Sequence, residues 1–386
     1  MKLLHVVPTY LPALRYGGPI VSVHRLCAAL VKAGHQVDVL TTNVDGERDS
    51  AVALGTRVDI DGVGVYYFPS RWLRRLYYAP TMRRWLRQHV ADYDLVHLHS
   101  VFLWPTLVAA RSASARGVAF VVSPRGMLVL ELVRARSRWL KTAWITLFER
   151  RTLVEAAAIH LTSTVEQQAL VDFPLRTPAR LVVIPNGVAA VAPAPAAANA
   201  PRPAPYVLML GRISWKKRIE RAIDAVALVP GLRLVIAGGD DEGRLPALRA
   251  QVQRLGLSDR VAFVGAVAGE QKQALLREAL ALLMVSYTEN YGNVVLEALA
   301  QATPAIVLPQ IGAADAVRAA AAGWVIDDHP AALVACLREL LADPQQAKIR
   351  GARGADYVRR ELTWDGIAGH MAALYAEILA EMRDAG

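Results

Sequence analysis

Two acids, Glu289 and Glu297, flank the run Tyr291-Gly292-Asn293, and a cationic stretch, Arg212 with Lys216, Lys217 and Arg218, follows Gly211 earlier in the chain. Each group has a definite chemistry. Arginine offers a bidentate fork and lysine a compact point charge, and together they suit a diphosphate. Gly292 permits a tight turn, and the N–H groups of Asn293 and Val294 at the helix start it introduces can receive an anion. Glu289 in the loop and Glu297 on the helix can accept hydrogen bonds from ligand hydroxyls. A solvated basic turn and an acid favoured by the helix dipole would explain these residues one at a time. They do not explain the whole cluster in one place.

The elements that must position these residues are legible as apolar runs. Tyr206–Leu210 reads as a strand immediately before Gly211, and the run ending at Val285 reads as another before Ser286. In parallel α/β sheets ligands bind beyond the C-terminal ends of strands, where both motifs fall. Residues 233–237, 260–264, 281–285 and 305–308 continue the series, with helical patterns between them, and predict one parallel α/β domain. The first half reads the same way. Leu3 to Pro8, a loop with Gly17 and Gly18, a helix over 20–33 closed by Gly34, and Val37 to Thr41 make a strand, loop, helix, strand unit. Runs at 95–98, 119–122 and 158–162 extend it. Residues 189–205 are almost wholly Ala and Pro, and five prolines there forbid regular structure. The expected organisation is therefore a domain over 1–188, a linker over 189–205, a domain over 206–363 and a helix over 364–386 that packs back on the first domain. Two doubly wound parallel sheets facing a central cleft is the fold expected.

At 386 residues the chain suits two domains rather than one core. The net charge of +10 is uneven: residues 1–190 hold 23 Lys and Arg against 13 Asp and Glu, whereas the remainder holds 21 of each. The first half is thus expected to meet an anionic partner. No apolar run reaches the roughly 18 residues of a membrane span, and the N-terminus is a poor secretory signal, so a cytoplasmic location is expected. Cys27 and Cys336 lie in opposite halves, which argues against a disulfide or a structural metal.

With these motifs in view, the chain resembles the family 4 glycosyltransferases, retaining enzymes of the two-domain GT-B fold. The resemblance rests on the E-x7-E pattern Glu289 to Glu297, the Gly17-Gly18 loop, His97 and His99, Ser123 to Leu128 (SPRGML), Ile184 to Gly187 (IPNG) and Gly211 to Lys217 (GRISWKK). Ile236 to Gly239 and Val261 to Gly265 fit as well. It implies that Arg212 and Lys217 hold the donor diphosphate, Glu297 the ribose and Glu289 the hydroxyls of the transferred sugar. It further implies that Gly17 and Gly18 approach the donor, that Gly265, Asn290, Tyr291, Gly292 and Asn293 complete its binding set, and that His99 contacts the sugar near the reacting carbon. The chain departs from the family at Arg218, where Gly is usual, at Ala189, at Ala302-Thr303 and at Gly312-Ala313.

Retention without an evident nucleophile implies that leaving diphosphate and incoming hydroxyl meet on one face of an oxocarbenium-like sugar, with Arg212 and Lys217 stabilising the leaving charge. No metal and no cofactor is expected. Asp59 with Asp61 and Asp92 with Asp94 read as surface turns rather than metal ligands. A last stretch, Arg71 to Arg87, interleaves six arginines with Trp72, Tyr77, Tyr78 and Trp85 without an acid, and a second basic aromatic stretch, Arg134 to Arg151, adds Trp139, Trp144 and Phe148. Such segments can lie in a lipid headgroup layer, or be ordinary helices with solvated arginine faces. In the first case the protein would sit peripherally on the cytoplasmic membrane face and its acceptor would be a lipid-linked saccharide of surface polysaccharide synthesis. The alternatives are a sugar-nucleotide epimerase of the same architecture and a non-enzymatic basic protein binding membrane or nucleic acid. Gly17-Gly18 is not G-x-G-x-x-G, which argues against a nicotinamide dehydrogenase.

Overall fold

The computed structural model describes residues 1–128, 144–173, 177–189 and 205–384, so most of the Ala/Pro stretch lies outside the described residues. The chain divides into two compact units, Met1–Gly187 with Trp364–Gly386, and Val188–Thr363.

The first unit is built on an eight-stranded sheet. Its strands are β1 (Lys2–Val6), β2 (Gln36–Thr42), β5 (Arg57–Ile60), β6 (Val63–Phe68), β7 (Leu95–His99), β8 (Ala119–Ser123), β9 (Ala158–Leu161) and β10 (Arg180–Val183), in the order β10-β9-β8-β7-β1-β2-β6-β5; β3 (Val44–Asp45) and β4 (Arg48–Asp49) pair apart from it. β7, β8 and β9 are buried along their whole length, as strands covered on both faces must be. All neighbours in this sheet are parallel except β5, which pairs antiparallel with β6 through Ile60 and Val63. That edge departs from the all-parallel expectation. Asp61 and Gly62, both at positive φ, make the two-residue turn between these strands.

The helix Gly18–Lys32 starts from Gly17 with Pro19 in its first turn. Gly34 closes it at positive φ, with the Gly34 and His35 N–H groups bonding the Val31 and Leu30 carbonyls. The last helix, Trp364–Asp384, packs on this unit through Ile367, Met371, Leu374, Tyr375 and Ile378. Burying such side chains contributes about 1.5–3 kcal/mol each. That outweighs the rim ion pairs Lys32 with Asp365 and Arg180 with Glu377, which at this exposure contribute about 0–1 kcal/mol each.

The second unit has a six-stranded parallel sheet of β11 (Tyr206–Leu210), β12 (Arg233–Ala237), β13 (Val261–Gly265), β14 (Ala281–Met284), β15 (Ala305–Val307) and β16 (Gly323–Val325), ordered β13-β12-β11-β14-β15-β16. β11 lies between β12 and β14, so the loops leaving the C-terminal ends of these three strands are neighbours.

Candidate active site

In the second unit, Gly211 directly follows β11 and the chain turns through a short 3-10 turn, Trp215–Lys217. Gly238, after β12, passes so near that a β-carbon there would lie 1.9 Å from the Gly211 carbonyl oxygen, which fixes glycine at this crossing. From the far side of β11, Tyr287 after β14 donates its N–H to the Lys216 carbonyl at 2.7 Å. The two loops therefore run side by side, and Lys217 Nζ donates to Glu289 Oε2 at 2.7 Å. Their side chains are 16% and 31% exposed, enough for a ligand to reach both. An ammonium carries three donors, so Lys217 can hold Glu289 and still receive a phosphate oxygen.

Gly292 caps the helix Asn293–Ala300 in the left-handed region, at φ 86°. Tyr291 is buried and its carbonyl accepts from the Ala313 N–H at 2.7 Å; burial pushes its phenol up. Glu297 on that helix pairs with Lys272 at 3.1 Å rather than with the Lys217 pair. Arg212 is well exposed and lies 3.5 Å from Asp241. Gly265 ends β13 at positive φ, with open space where a β-carbon would stand, and its carbonyl accepts from the Gly238 N–H. Thus the structure brings Lys217 and Glu289 into contact and puts Arg212 and Gly265 at the same edge of the sheet.

Gly17, Gly18 and His99 belong to the first unit. Gly17 has φ 83° and faces open space on the side a β-carbon would occupy. His99 ends β7, as expected, and is 1% exposed with both ring nitrogens engaged. Arg125 donates to His99 Nδ1 at 3.2 Å, and His99 Nε2 lies 2.9 Å from His5 Nδ1. Since a guanidinium only donates, the proton of His99 must sit on Nε2 and point to His5.

A second buried chain runs beside it. The Ile184 carbonyl can only accept, so His160 Nε2 donates to it at 2.9 Å and His160 Nδ1 is an acceptor. Ser123 then donates to His160 and accepts from His97 Nε2, at 2.7 and 2.6 Å, which leaves His97 Nδ1 to accept from the Tyr375 hydroxyl at 2.6 Å. All four imidazoles are held neutral. Burial, then the Arg125 charge, takes His5 down to about 3; the same causes take His160 to about 3, and burial with neighbouring imidazoles takes His97 and His99 well below the usual range. Ligand atoms of His5, His97 and His99 lie within 4.8 Å of one another, a spacing a metal ion could bridge. A ligating imidazole, however, donates its outer N–H, whereas His99 Nδ1 accepts from a cation. The arrangement suits protons.

Sequence reasoning missed most of this network. Arg125 donates to Asn186 Oδ1 at 3.0 Å, so the SPRG and IPNG runs, visible as motifs but without a role, meet in space. The basic aromatic stretch is also more structural than it reads. Trp85 packs against Tyr66, Phe68 and Tyr93, Tyr78 packs against Trp104, and Arg74 bonds Asp49 and the carbonyls of Ser70, Gly46 and Arg48. Trp72 is 78% exposed, beside exposed Leu73. Most of the second stretch lies outside the described residues; in its described end Trp144 donates to Glu149. Among the described residues no helix is long and apolar enough to cross a membrane.

Comparison with known proteins agrees with this arrangement of sheets and loops. The family described as glycosyl transferases group 1 matches residues 194–356, and the glycosyl transferase 4-like domain matches residues 17–187. The chain is 29% identical over 376 residues to D-inositol 3-phosphate glycosyltransferase of Kineococcus radiotolerans, covering 88% of this chain and 86% of that protein. Among solved structures, sucrose-phosphate synthase from Thermosynechococcus elongatus superposes with a TM-score of 0.78 at 23% identity, covering 99% of this chain and 100% of the other. The Anabaena protein HepE in complex with UDP and glucose gives 0.74 at 19% identity, over 98% and 100%. The chain belongs to the group 1 glycosyltransferases, enzymes of the GT-B fold.

Proposed function

We propose that this enzyme moves a sugar from a nucleoside-diphosphate donor to an anionic saccharide acceptor with retention of anomeric configuration. The observation that carries the reading is the partly exposed Lys217–Glu289 pair between neighbouring strand ends, a cation suited to phosphate beside a carboxylate able to accept from sugar hydroxyls. Arg212 and Lys217 stabilise the diphosphate as it leaves, in place of a metal, and its phosphate oxygen takes the proton of the attacking hydroxyl. Glu297, oriented by Lys272, receives the ribose hydroxyls. No carboxylate attacks the sugar in this reading, so entry and departure share one face.

Two observations favour a phosphorylated acceptor. The positive excess lies wholly in residues 1–190, and the relatives include an enzyme named for D-inositol 3-phosphate and another named for sucrose phosphate. Exposed Trp72 among arginines supports the narrower reading in which that phosphate links a saccharide to a lipid at the membrane face. A thermal-shift panel of UDP- and GDP-sugars tests the donor, because a ligand of the folded state raises its stability with the logarithm of occupancy. One donor should stand out and then support transfer to a phosphorylated acceptor. Absence of a shift with every donor, or epimerised donor when it is incubated alone, would overturn the reading.

A further inference from the structure

Asp328, after β16, carries no role in any motif, yet it is the common anchor of both loops that hold Lys217 and Glu289. On one side Arg218 Nη1 lies 2.7 Å from both Asp328 carboxylate oxygens, and Arg221 bonds the same carboxylate. Arg218 directly follows Lys217 and occupies the left-handed region, φ 51° and ψ 43°, a conformation that a side chain disfavours and glycine accepts freely. The tether to Asp328 compensates this at the junction that ends the Lys217 turn and starts the helix Ile219–Ala227. The Arg218 guanidinium also lies 4.8 Å from the Tyr287 ring centroid, and Tyr287 packs on Trp215 at 5.6 Å. On the other side Gln310 donates to Asp328 Oδ2 at 3.2 Å. The next residue, Ile311, forms a parallel bridge with Glu289, and Ala313 donates to the Tyr291 carbonyl. A single carboxylate thus fixes the Lys217 turn through Arg218 and the Glu289 loop through Gln310 and Ile311. Partial burial alone would raise Asp328, but the bonds and charges of Arg218 and Arg221 outweigh it and hold its carboxyl below the usual range.

We propose that Asp328 is a positioning residue which, through Arg218 and Gln310, sets the separation of Lys217 and Glu289 and thereby the affinity of the site for a nucleoside diphosphate. The proposal rests on reading Lys217 as a diphosphate ligand. A chain with glycine at position 218 has no need of the tether; a chain with arginine there keeps the turn in register through Asp328.

The test is a double-mutant cycle on the full chain, with UDP and GDP titrated separately by calorimetry. Asp328→Ala should weaken the better diphosphate about tenfold in the otherwise unchanged protein and less than twofold in a Lys217→Ala background, because it acts through that lysine. Asp328→Asn, which keeps the shape and part of the bonding, should fall between. A general destabilisation would cost the same factor in both backgrounds, and that result, or no loss on Asp328→Ala, would overturn the proposal. Hydrogen exchange supplies the arm that needs no ligand: amides of 214–218 and 286–292 should exchange faster together in Asp328→Ala, and unchanged protection in either segment would also overturn it. If exchange responds but neither diphosphate binds the unchanged protein, the positioning stands and the donor reading falls.

Discussion

Tyr375, on the final helix, donates to His97 Nδ1 on β7 at 2.6 Å, across 278 residues of chain, and so begins a hydrogen-bond chain with one allowed direction. Tyr375→Phe leaves His97 Nδ1 buried without a donor, at an expected cost of about 1–3 kcal/mol. Ser123→Ala should cost more, since it strands both His97 Nε2–H and His160 Nδ1. Urea unfolding of the two variants measures both. Equal stability of Tyr375→Phe and the parent would show that this bond contributes nothing to the fold.

Acid should destabilise the protein well before its carboxylates titrate. His5, His97, His99 and His160 all have folded values below the unfolded 6.5, so the unfolded chain binds more protons. Stability is complete above about pH 6.5 and falls as the pH drops from there toward about 3, where His5 and His160 would protonate in place. The slope is about 1 kcal/mol per pH unit for each histidine in that window. Unfolding free energies from pH 7.5 to 5 should show it; a flat profile would contradict the neutral network.

Lys217→Ala should reduce turnover about 10²- to 10³-fold, the range for loss of one donor that meets developing charge. Its effect on folding should stay within about 1–3 kcal/mol, the cost of leaving the partly buried Glu289 carboxylate without its partner. Steady-state kinetics beside thermal unfolding separate the two. Near-normal turnover would remove Lys217 from the diphosphate.

Within the basic aromatic stretch, the arginines divide. Reversing Arg75, Arg83, Arg84 and Arg87, all exposed, should weaken co-sedimentation with anionic vesicles by about 1 kcal/mol each, with little change in donor binding. Arg74→Ala should instead destabilise its neighbourhood, because it bonds one carboxylate and three carbonyls. Vesicle binding that ignores the four reversals would leave the stretch with a structural role only.

Strands in the middle of the sheets were the most legible elements. β11 and β12 fall on the residues that the apolar runs mark, because strands buried on both faces carry unbroken Val, Leu and Ile. The β5–β6 hairpin is less visible: it lies at an edge, its exposure alternates, and its Asp61-Gly62 turn reads equally as a surface acid pair. Glu289 and Lys217 could be placed because each follows a recognisable strand. Arg125 with Asn186, or His5 with His99, could not, since neither partner carries a sign of the other until β1, β7 and β8 are aligned. Asp328 was hidden for the same reason, its partners being set by the order of β11, β14, β15 and β16.

The chain leaves the first unit after Gly187 and re-enters it at Trp364, and the two crossing strands of backbone lie together, Val188 donating to the Leu362 carbonyl at 2.8 Å. The second unit is therefore a continuous insertion with adjacent ends, while the first is assembled from two distant pieces. During synthesis residues 188–363 can emerge and fold as one stretch. The histidine chain of the first unit must wait for Tyr375, so a ribosome stalled before the last helix would carry a finished second unit and an unfinished first.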